Sequence, residues 1–228
     1  MLKVRSVDPL QAIQWFKQGW QVFMSNPATW ALMGLLFGII VLGRLLPFIG
    51  SLLINLVMPL LVGGMLLAVK QAYTGKTVKI DDALNVLKNE PIRNQLLTVG
   101  VLMIGASFVA TLLGKLLVGD MIMMDDITGF STLNINSSKL IFLLMISLGT
   151  GMLFAYAPAL VVFEGMTAVA AVKASFQGAW ANALPFVIFA LIYLGLTFLA
   201  AIPLMLGFIV LIPVMMGAVY ASYKDIFG

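Results

Sequence analysis

The chain has 228 residues, of which 62% are hydrophobic and only 10% are charged, and its net charge is +4. Soluble domains carry about 25% charged residues, so this composition excludes an ordinary soluble protein and indicates one that lies in a membrane. The sequence contains neither cysteine nor histidine. Disulfides, thiolate or imidazole metal sites and a histidine general base are therefore excluded, and we expect no cofactor, no metal and no catalytic residue.

The chain opens with a segment that is predicted to form an amphipathic helix. Asp8 followed by Pro9 is typical of a helix N-cap with proline in the first helical position. Apolar residues then recur at helical spacing, namely Leu10, Ile13, Phe16, Trp20 and Phe23, and the opposite face holds Gln11, Gln14, Lys17, Gln18 and Gln21. Such a helix is suited to lying at the membrane interface. We expect no cleavable signal peptide, because the first apolar stretch begins only near Ala28.

Six apolar stretches follow, each about long enough to cross the hydrocarbon core of a bilayer. We place them at about residues 28–46, 47–69, 95–118, 140–163, 184–201 and 204–222. Residues 184–223 contain no Asp, Glu, Lys or Arg, so the last turn is placed by Pro203 instead. The prediction is an all-α, polytopic membrane protein, with one integral membrane domain over 1–228. Its six transmembrane helices form three hairpins, each preceded by an amphipathic helix on the cytoplasmic side.

The second and third amphipathic helices are predicted to be short. Asp81 or Asp82 caps the second, and Pro91 ends it. Its apolar side holds Leu84 and Leu87. Thr167 caps the third, whose inward face is predicted to hold Val169, Val172, Phe176 and Trp180, with Lys173 and Gln177 facing outward.

The basic residues predict the orientation of the chain. With six spans, both termini and the 70–94 and 164–183 connections lie on one side of the membrane. That side holds ten of the thirteen basic residues, which are Lys3, Arg5, Lys17, Lys70, Lys76, Lys79, Lys88, Arg93, Lys173 and Lys224. Loops rich in Lys and Arg stay cytoplasmic. We therefore expect both termini in the cytoplasm and the 119–139 loop outside.

All four tryptophans lie on or beside the predicted cytoplasmic helices. They are Trp15, Trp20, Trp30 and Trp180. Aromatic side chains of this kind collect at membrane–water boundaries. The four residues are therefore predicted to be interfacial anchors in the cytoplasmic leaflet.

The three hairpins form a possible internal repeat over residues 1–76, 77–163 and 164–228. At one offset Pro59 matches Pro213 and Lys70 matches Lys224. Apolar sequences also resemble one another by chance, so a true duplication stays open. Each unit begins on the cytoplasmic side, which makes the repeats parallel rather than inverted as in many transporters.

Small residues recur at four-residue spacing in three spans. They are Gly34 and Gly38 in the first span, Ala106, Ala110 and Gly114 in the third, and Ser147, Gly151, Ala155 and Ala159 in the fourth. Such stripes let helix backbones approach closely in lipid. They predict either packing within the chain or a subunit interface, and both interpretations stay open.

Four basic side chains are candidates for contact with lipid headgroups. Arg44 and Lys115 lie near the outer ends of the first and third spans, and Lys70 and Lys224 lie at the inner side. A charge at the bilayer centre costs about 2.5–3.5 kcal/mol, and a long side chain near a helix end avoids most of that cost by reaching the headgroups. Arg44 and Lys115 either reach the headgroups in this way, bind lipid phosphate, or pair with Asp120. The basic 70–94 connection is a topology signal that also attracts anionic headgroups.

Two further features have alternative interpretations. Glu164 closes the fourth span, either as a simple helix-end charge or in a gating ion pair with a neighbouring lysine. The outer loop combines thioethers and carboxylates, which are cation ligands. A loop that dips into the outer leaflet explains the same residues, namely Met121, Met123, Met124, Asp125 and Asp126.

Three stretches carry a resemblance to a known family. They are Pro59-Leu-Leu-Val-Gly-Gly-Met, Pro158-Ala-Leu-Val-Val-Phe-Glu-Gly and the closing Tyr220-Ala-Ser-Tyr-Lys-Asp-Ile-Phe-Gly. The chain resembles six-helix bacterial inner-membrane proteins of unknown function, which look related to the membrane domain of glycerophosphodiester phosphodiesterases. It is also similar to a trimeric envelope protein of Acinetobacter. The resemblance implies an inner-membrane location and an association with envelope maintenance, and it transfers no catalytic residue.

The leading hypothesis is a non-enzymatic inner-membrane protein with a structural or envelope-homeostasis role, assembled as a homo-oligomer (dimer or trimer). The alternative is a lipid- or small-molecule-binding or transport protein, or an oligomeric channel. Prolines that break helices and open a cavity would favour it, namely Pro59, Pro158, Pro185 and Pro213. A membrane enzyme would need Glu164 and Asp81 to meet on one face. Membrane lipids are the expected partners, and nucleic acid is not expected.

Overall fold

The structure is a computed structural model and describes residues 3–47, 49–118, 122–124, 131–133 and 137–228. The helices and strands in chain order are α1 (Gln11–Ser25), α2 (Pro27–Leu42), a 3-10 turn (Gly43–Leu45), α3 (Gly50–Tyr73), α4 (Ile80–Lys88), α5 (Glu90–Val118), β1 (Ile122–Met124), β2 (Ser131–Leu133), α6 (Ser137–Phe154), α7 (Ala157–Glu164), α8 (Ala168–Ala181), α9 (Ala183–Ala201) and α10 (Phe208–Phe227). The two short strands pair antiparallel between α5 and α6.

Within the described residues, six helical segments are long and apolar enough to cross a membrane, which confirms the predicted all-α, polytopic fold. They are Pro27–Leu45, Gly50–Tyr73, Glu90–Leu117, Ser137–Glu164, Ala183–Ala201 and Phe208–Phe227. All six lie within five residues of the predicted boundaries. The fourth differs in form, because α6 and α7 together make up this segment with a break at residues 155 and 156.

The helix α10 lies at the centre of the molecule. Of the most apolar 18-residue stretch of α10, 67% is buried, whereas only 11% of the corresponding stretch of α9 is buried. Helices α1, α2 and α3 all pack against α10. Gly19 allows α1 to cross it at close range, because a Cβ atom there would collide with the carbonyl oxygen of Val214. The last helix is therefore the core of the fold, and α5, α6 and α9 present most of the outward surface.

The two ends of the chain meet at one end of this core. The backbone N–H of Arg5 donates to the carbonyl of Ile226 at 2.9 Å. Asn182, which is buried at the end of α8, accepts from the N–H of Val7 and donates to the carbonyl of Arg5, both at 2.9 Å. The N-terminal segment is thus fixed between α8 and α10, so both ends of the chain lie on the same side of the molecule.

The apolar face predicted for α1 is divided, because Phe16 and Phe23 are buried in the protein, whereas Ile13, Trp20 and the preceding Leu10 are exposed. The inward face predicted for α8 is largely wrong. In α8 the bulky Val169, Phe176 and Trp180 are exposed, whereas the buried residues are Ala168, Ala171, Ser175, Gly178 and Ala179. The physical reason is that small residues let helices approach closely in a membrane, where an outward apolar side chain meets lipid and not water.

The caps of the short helices also differ from the prediction. Asp82 accepts from the backbone N–H of Lys79 at 2.7 Å and so fixes the start of α4. Pro91 does not end α4 but stands in the first turn of α5. Thr167 precedes α8 without a side-chain cap, and Gln95 of α5 accepts the N–H of Ala168 at 2.7 Å instead.

The turn between α9 and α10 falls at the predicted position around Pro203. Leu204 and Met205 adopt left-handed φ angles of 50° and 66°, which residues other than glycine rarely do. The N–H groups of Leu204, Met205 and Leu206 all donate to carbonyls within the turn. Leu204 is nevertheless 90% exposed. These bonds satisfy three backbone N–H groups of an apolar turn, which lowers the cost of placing the turn against lipid.

Candidate functional site

The candidate site is an apolar cleft of about 620 Å³ between α6 and α9. Helices α3 and α10 form its floor. Its lining residues are Met58, Pro59, Val62, Met103, Leu144, Ser147, Leu148, Gly151, Phe154, Ala155, Tyr156, Pro158, Phe186, Phe189, Ala190, Tyr193, Met215, Met216, Val219 and Ser222. None of these residues carries a formal charge, and we refer to this space as the α6–α9 cleft.

The cleft exists because α6 and α9 hardly touch each other. Leu144, Ser147 and Gly151 on α6 and Tyr193 on α9 are exposed along its opening. The hypothesis of a binding or transport protein expected four prolines to open a cavity, and two of them, Pro59 and Pro158, line the cleft. Pro59 does not break α3, which runs through it as one helix.

A serine from α8 interrupts the helix of the fourth span. In an unbroken helix the N–H of Tyr156 would donate to the carbonyl of Met152, four residues earlier. Ser175 stands between these two groups: its Oγ accepts from the N–H of Tyr156 at 3.0 Å and donates to the carbonyl of Met152 at 2.9 Å. A side chain inserted into the hydrogen-bond ladder is a known cause of a sharp bend. Ser175 therefore separates α6 from α7 at the wall of the cleft.

The small-residue stripe of the fourth span falls mainly in the cleft. Ser147, Gly151 and Ala155 line it, and Phe186 of α9 approaches a Cβ built on Gly151 no closer than 3.7 Å. Ala159 is buried among neighbouring helices. Only one of the four residues is therefore tightly packed within the chain.

The other two stripes have different surroundings. Gly34 packs α2 directly against Ile209 of α10, whereas the nearest atom to a Cβ at Gly38 is 3.9 Å away, on Ile212. In the third span, Ala106, Ala110 and Gly114 are half-buried, and no atom of the described residues lies within 4 Å of a Cβ at Gly114. The third-span stripe thus contributes little to close packing in the isolated chain.

Lys70 and Lys224 lie at the two ends of an aromatic cluster. The Nζ atom of Lys70 is 5.1 Å from the ring centre of Phe163, and that of Lys224 is 5.5 Å from the ring of Tyr73. Tyr220 touches both rings, with centre-to-centre distances of 5.4 Å to Phe163 and 4.9 Å to Tyr73. Both ammonium groups are exposed and gain cation–π attraction. Contact with lipid headgroups stays a prediction for them.

Acidic groups at this end have neutral partners. Glu164 accepts a short hydrogen bond from the hydroxyl of Tyr223, so the structure gives it a tyrosine partner rather than the lysine of the gating hypothesis. One carboxylate oxygen of Asp225 accepts from Gln11 Nε2 at 2.8 Å and from Trp15 Nε1 at 2.7 Å. These bonds tie α1 to the end of α10.

The tryptophans separate into two groups. Trp20 and Trp180 are 50% and 67% exposed, as an interfacial anchor requires, but Trp15 and Trp30 are completely buried. The prediction that Trp15 and Trp30 are interfacial anchors is therefore wrong. A position near a predicted span boundary indicates the depth of a tryptophan in the membrane, but not whether its side chain turns towards lipid or towards the protein.

Arg44 and Lys115 are both exposed. Arg44 donates to Asn55 Oδ1 at 3.3 Å, and Asn55 donates to Ser107 on α5 at 3.5 Å. The proposed pairing with Asp120 and most of the Met121–Asp126 cluster lie outside the described residues. The structure therefore gives Arg44 a polar partner on α3 that the sequence pattern did not indicate.

The sequence analysis did not predict three features: the insertion of Ser175 into the fourth span, the hydrogen bonds of Asn182 to the N-terminal segment, and the bond between Asp225 and Trp15. A polar residue among the small residues of α8 was the available signal for Ser175. For Asn182 the sequence shows only an asparagine just before the fifth span. Nothing local connects Asp225 with Trp15, 210 positions away. Comparisons with models of known families, with curated proteins and with solved structures find no match to this chain.

Proposed function

We propose that this chain is a non-enzymatic, multi-pass protein of a bacterial inner membrane that binds a lipid chain in the α6–α9 cleft. The observation that carries the proposal is the cleft itself, at about 620 Å³. Ligand sites typically measure about 300–1,000 Å³ and are mostly apolar. The size and chemistry of the cleft suit an acyl chain better than a polar solute.

The position of the opening supports the same occupant. Leu144, at the mouth, is 59% exposed, and it lies in a span that would face hydrocarbon. A bilayer lipid can therefore enter sideways without crossing water. Inside, Met58, Met103 and Met215 provide flexible side chains, which adapt to an irregular apolar guest. The uncharged lining disfavours a carrier driven by protons or ions.

The cleft offers a matched pair of variants. Gly151→Leu would place a side chain inside it, and the nearest neighbour of the new Cβ atom is Phe186 at 3.7 Å. The control is Gly149→Leu: Gly149, two residues earlier in α6, does not line the cleft, and no atom of the described residues lies within 4 Å of a Cβ placed there. Both variants add the same side chain to the same helix, so only the occupied space differs.

Native mass spectrometry of the washed, detergent-purified protein would count the lipids that each variant retains. We expect the wild type and Gly149→Leu to keep the same lipid adduct and Gly151→Leu to lose most of it. The proposal would be abandoned if the wild type carried no lipid, or if Gly151→Leu retained as much as Gly149→Leu.

A structural role through assembly is the second candidate, and the exposed surface of α5 favours it. Phe108 and Leu116 are 72% and 71% exposed, and the unfilled space at Gly114 would accept a neighbouring helix. We expect a dimer or trimer in native nanodiscs, and Gly114→Leu should reduce it to single chains. A wild-type particle with the mass of one chain would remove this candidate.

A role in envelope homeostasis would accompany either activity. Deletion of the gene should then change membrane permeability or drug sensitivity without blocking a metabolic step. An envelope that responds normally to stress in the deletion strain would count against this part of the proposal.

A further inference from the structure

A second cavity lies on the other side of α9. It measures about 720 Å³ and is bounded by α1, α9 and α10. Its apolar walls include Leu196 of α9 and Val210 of α10, and Lys17, Trp20 and Gln21 of α1 lie along one edge. We call this space the α1 groove. It shares no lining residue with the α6–α9 cleft.

The polar groups of the groove are concentrated on one helix. Lys17 and Gln21 both belong to α1, whereas the residues from α9 and α10 are all apolar. Gly19 presses the backbone of α1 against α10, while Lys17, Trp20 and Gln21 remain exposed. The groove therefore has a cationic edge and an apolar floor.

The ammonium group of Lys17 has no hydrogen-bond or ion-pair partner among the described residues. The carboxylate of Asp225 is on the same side of the molecule, but it is engaged by Gln11 and Trp15. A lysine at the rim of an apolar groove is thus left to attract an anion from outside the chain. The adjacent Trp20 is half exposed, as is usual for an aromatic residue at headgroup level.

We propose that the α1 groove binds one anionic phospholipid, with its phosphate at Lys17 and an acyl chain along α9 and α10. The charge at one edge and the apolar floor match the two parts of such a lipid. A free phosphate would use only the first part, and in a zwitterionic lipid the choline cation offsets the attraction of the phosphate to Lys17. The site goes beyond the lipid-binding cleft proposed above and is separate from it.

Trp20 provides a local reporter for this site. Trp15 and Trp30 are completely buried, so the variant Trp180→Phe leaves Trp20 as the one exposed tryptophan. Bromine atoms on an acyl chain quench tryptophan fluorescence on contact. The full chain carrying Trp180→Phe is reconstituted in phosphatidylcholine vesicles that contain the same small fraction of brominated phosphatidylglycerol or brominated phosphatidylcholine.

We expect the brominated anionic lipid to associate about fivefold more strongly than the brominated neutral lipid, as one lysine near an anionic headgroup provides. Lys17→Gln should abolish this preference, and Lys17→Arg should keep it. Lys173→Gln removes an exposed lysine from α8, outside the groove, and should also keep it. Added glycerol phosphate without acyl chains should not compete.

Three results would overturn the proposal: equal quenching by the two brominated lipids, a preference that survives Lys17→Gln, or full competition by glycerol phosphate. Gly151→Leu, which fills the other cavity, should leave Trp20 quenching unchanged. Failure of the α1 groove is therefore distinguishable from failure of the α6–α9 cleft.

Discussion

Ser175→Ala tests how the broken fourth span is held. The substitution removes only the hydroxyl oxygen that accepts from Tyr156 and donates to Met152. Tyr156 and Met152 are 4% and 3% exposed, so water does not replace the lost partner. A buried backbone group left unsatisfied costs about 1–3 kcal/mol, although single hydrogen bonds in membrane proteins average only about 0.6 kcal/mol.

The expected loss in the free energy of unfolding is about 1–3 kcal/mol, since two buried groups lose one shared partner. Reversible unfolding in mixed micelles, followed by tryptophan fluorescence, measures this loss. Ser147→Ala is the control, because Ser147 is exposed on α6 and such a change is usually within about 0.5 kcal/mol. Hydrogen exchange at the Tyr156 amide should become faster in Ser175→Ala alone.

A loss below about 0.5 kcal/mol for Ser175→Ala, together with unchanged exchange at Tyr156, would refute this reasoning. It would mean that the N–H of Tyr156 finds the carbonyl of Met152 directly and that the span straightens at little cost. The inserted hydroxyl would then follow the bend rather than stabilise it.

Gly19→Ala should destabilise the protein by about 1–3 kcal/mol, because its Cβ collides with the backbone of Val214. Gly195→Ala should leave the melting temperature in detergent unchanged or higher, because no atom in the described part of the chain lies within 4 Å of a Cβ there. Equal melting of the two variants would contradict the close α1–α10 crossing. Asp225→Ala leaves the buried indole N–H of Trp15 without its acceptor and should cost about 1–3 kcal/mol. Asp225→Asn keeps an acceptor oxygen and should lose less, so equal losses in an unfolding titration would count against the proposed role of this bond.

The spans were predictable because their lengths and ends depend on features of the local sequence, namely a run of hydrophobic residues and the position of a proline. Residues 184–223 lack Asp, Glu, Lys and Arg altogether, and the structure divides them at Pro203 as predicted. The thickness of the bilayer sets the length of each helix. These features need no knowledge of which helices become neighbours.

The orientation of side chains around each helix was less predictable. In water, bulky apolar residues turn inward, and this rule placed Phe176 and Trp180 on the wrong face of α8. In lipid both faces are apolar, so close packing selects small residues such as Ala171 and Gly178 for the inside. The α6–α9 cleft exists because α6 and α9, which are distant in the sequence, hardly touch each other. No local sequence pattern shows which helices lack such contacts.

Accessibility of single cysteines tests the six-span arrangement most directly, because the natural chain contains no cysteine. Ser6→Cys lies beside the N-terminal contact with α10, and Ser131→Cys lies in β2 between the third and fourth spans. A membrane-impermeant maleimide added to intact spheroplasts should label Ser131→Cys at once and Ser6→Cys only after the membrane is opened. Labelling of Ser6→Cys in intact spheroplasts, or of both positions equally, would contradict a six-span chain with its termini in the cytoplasm.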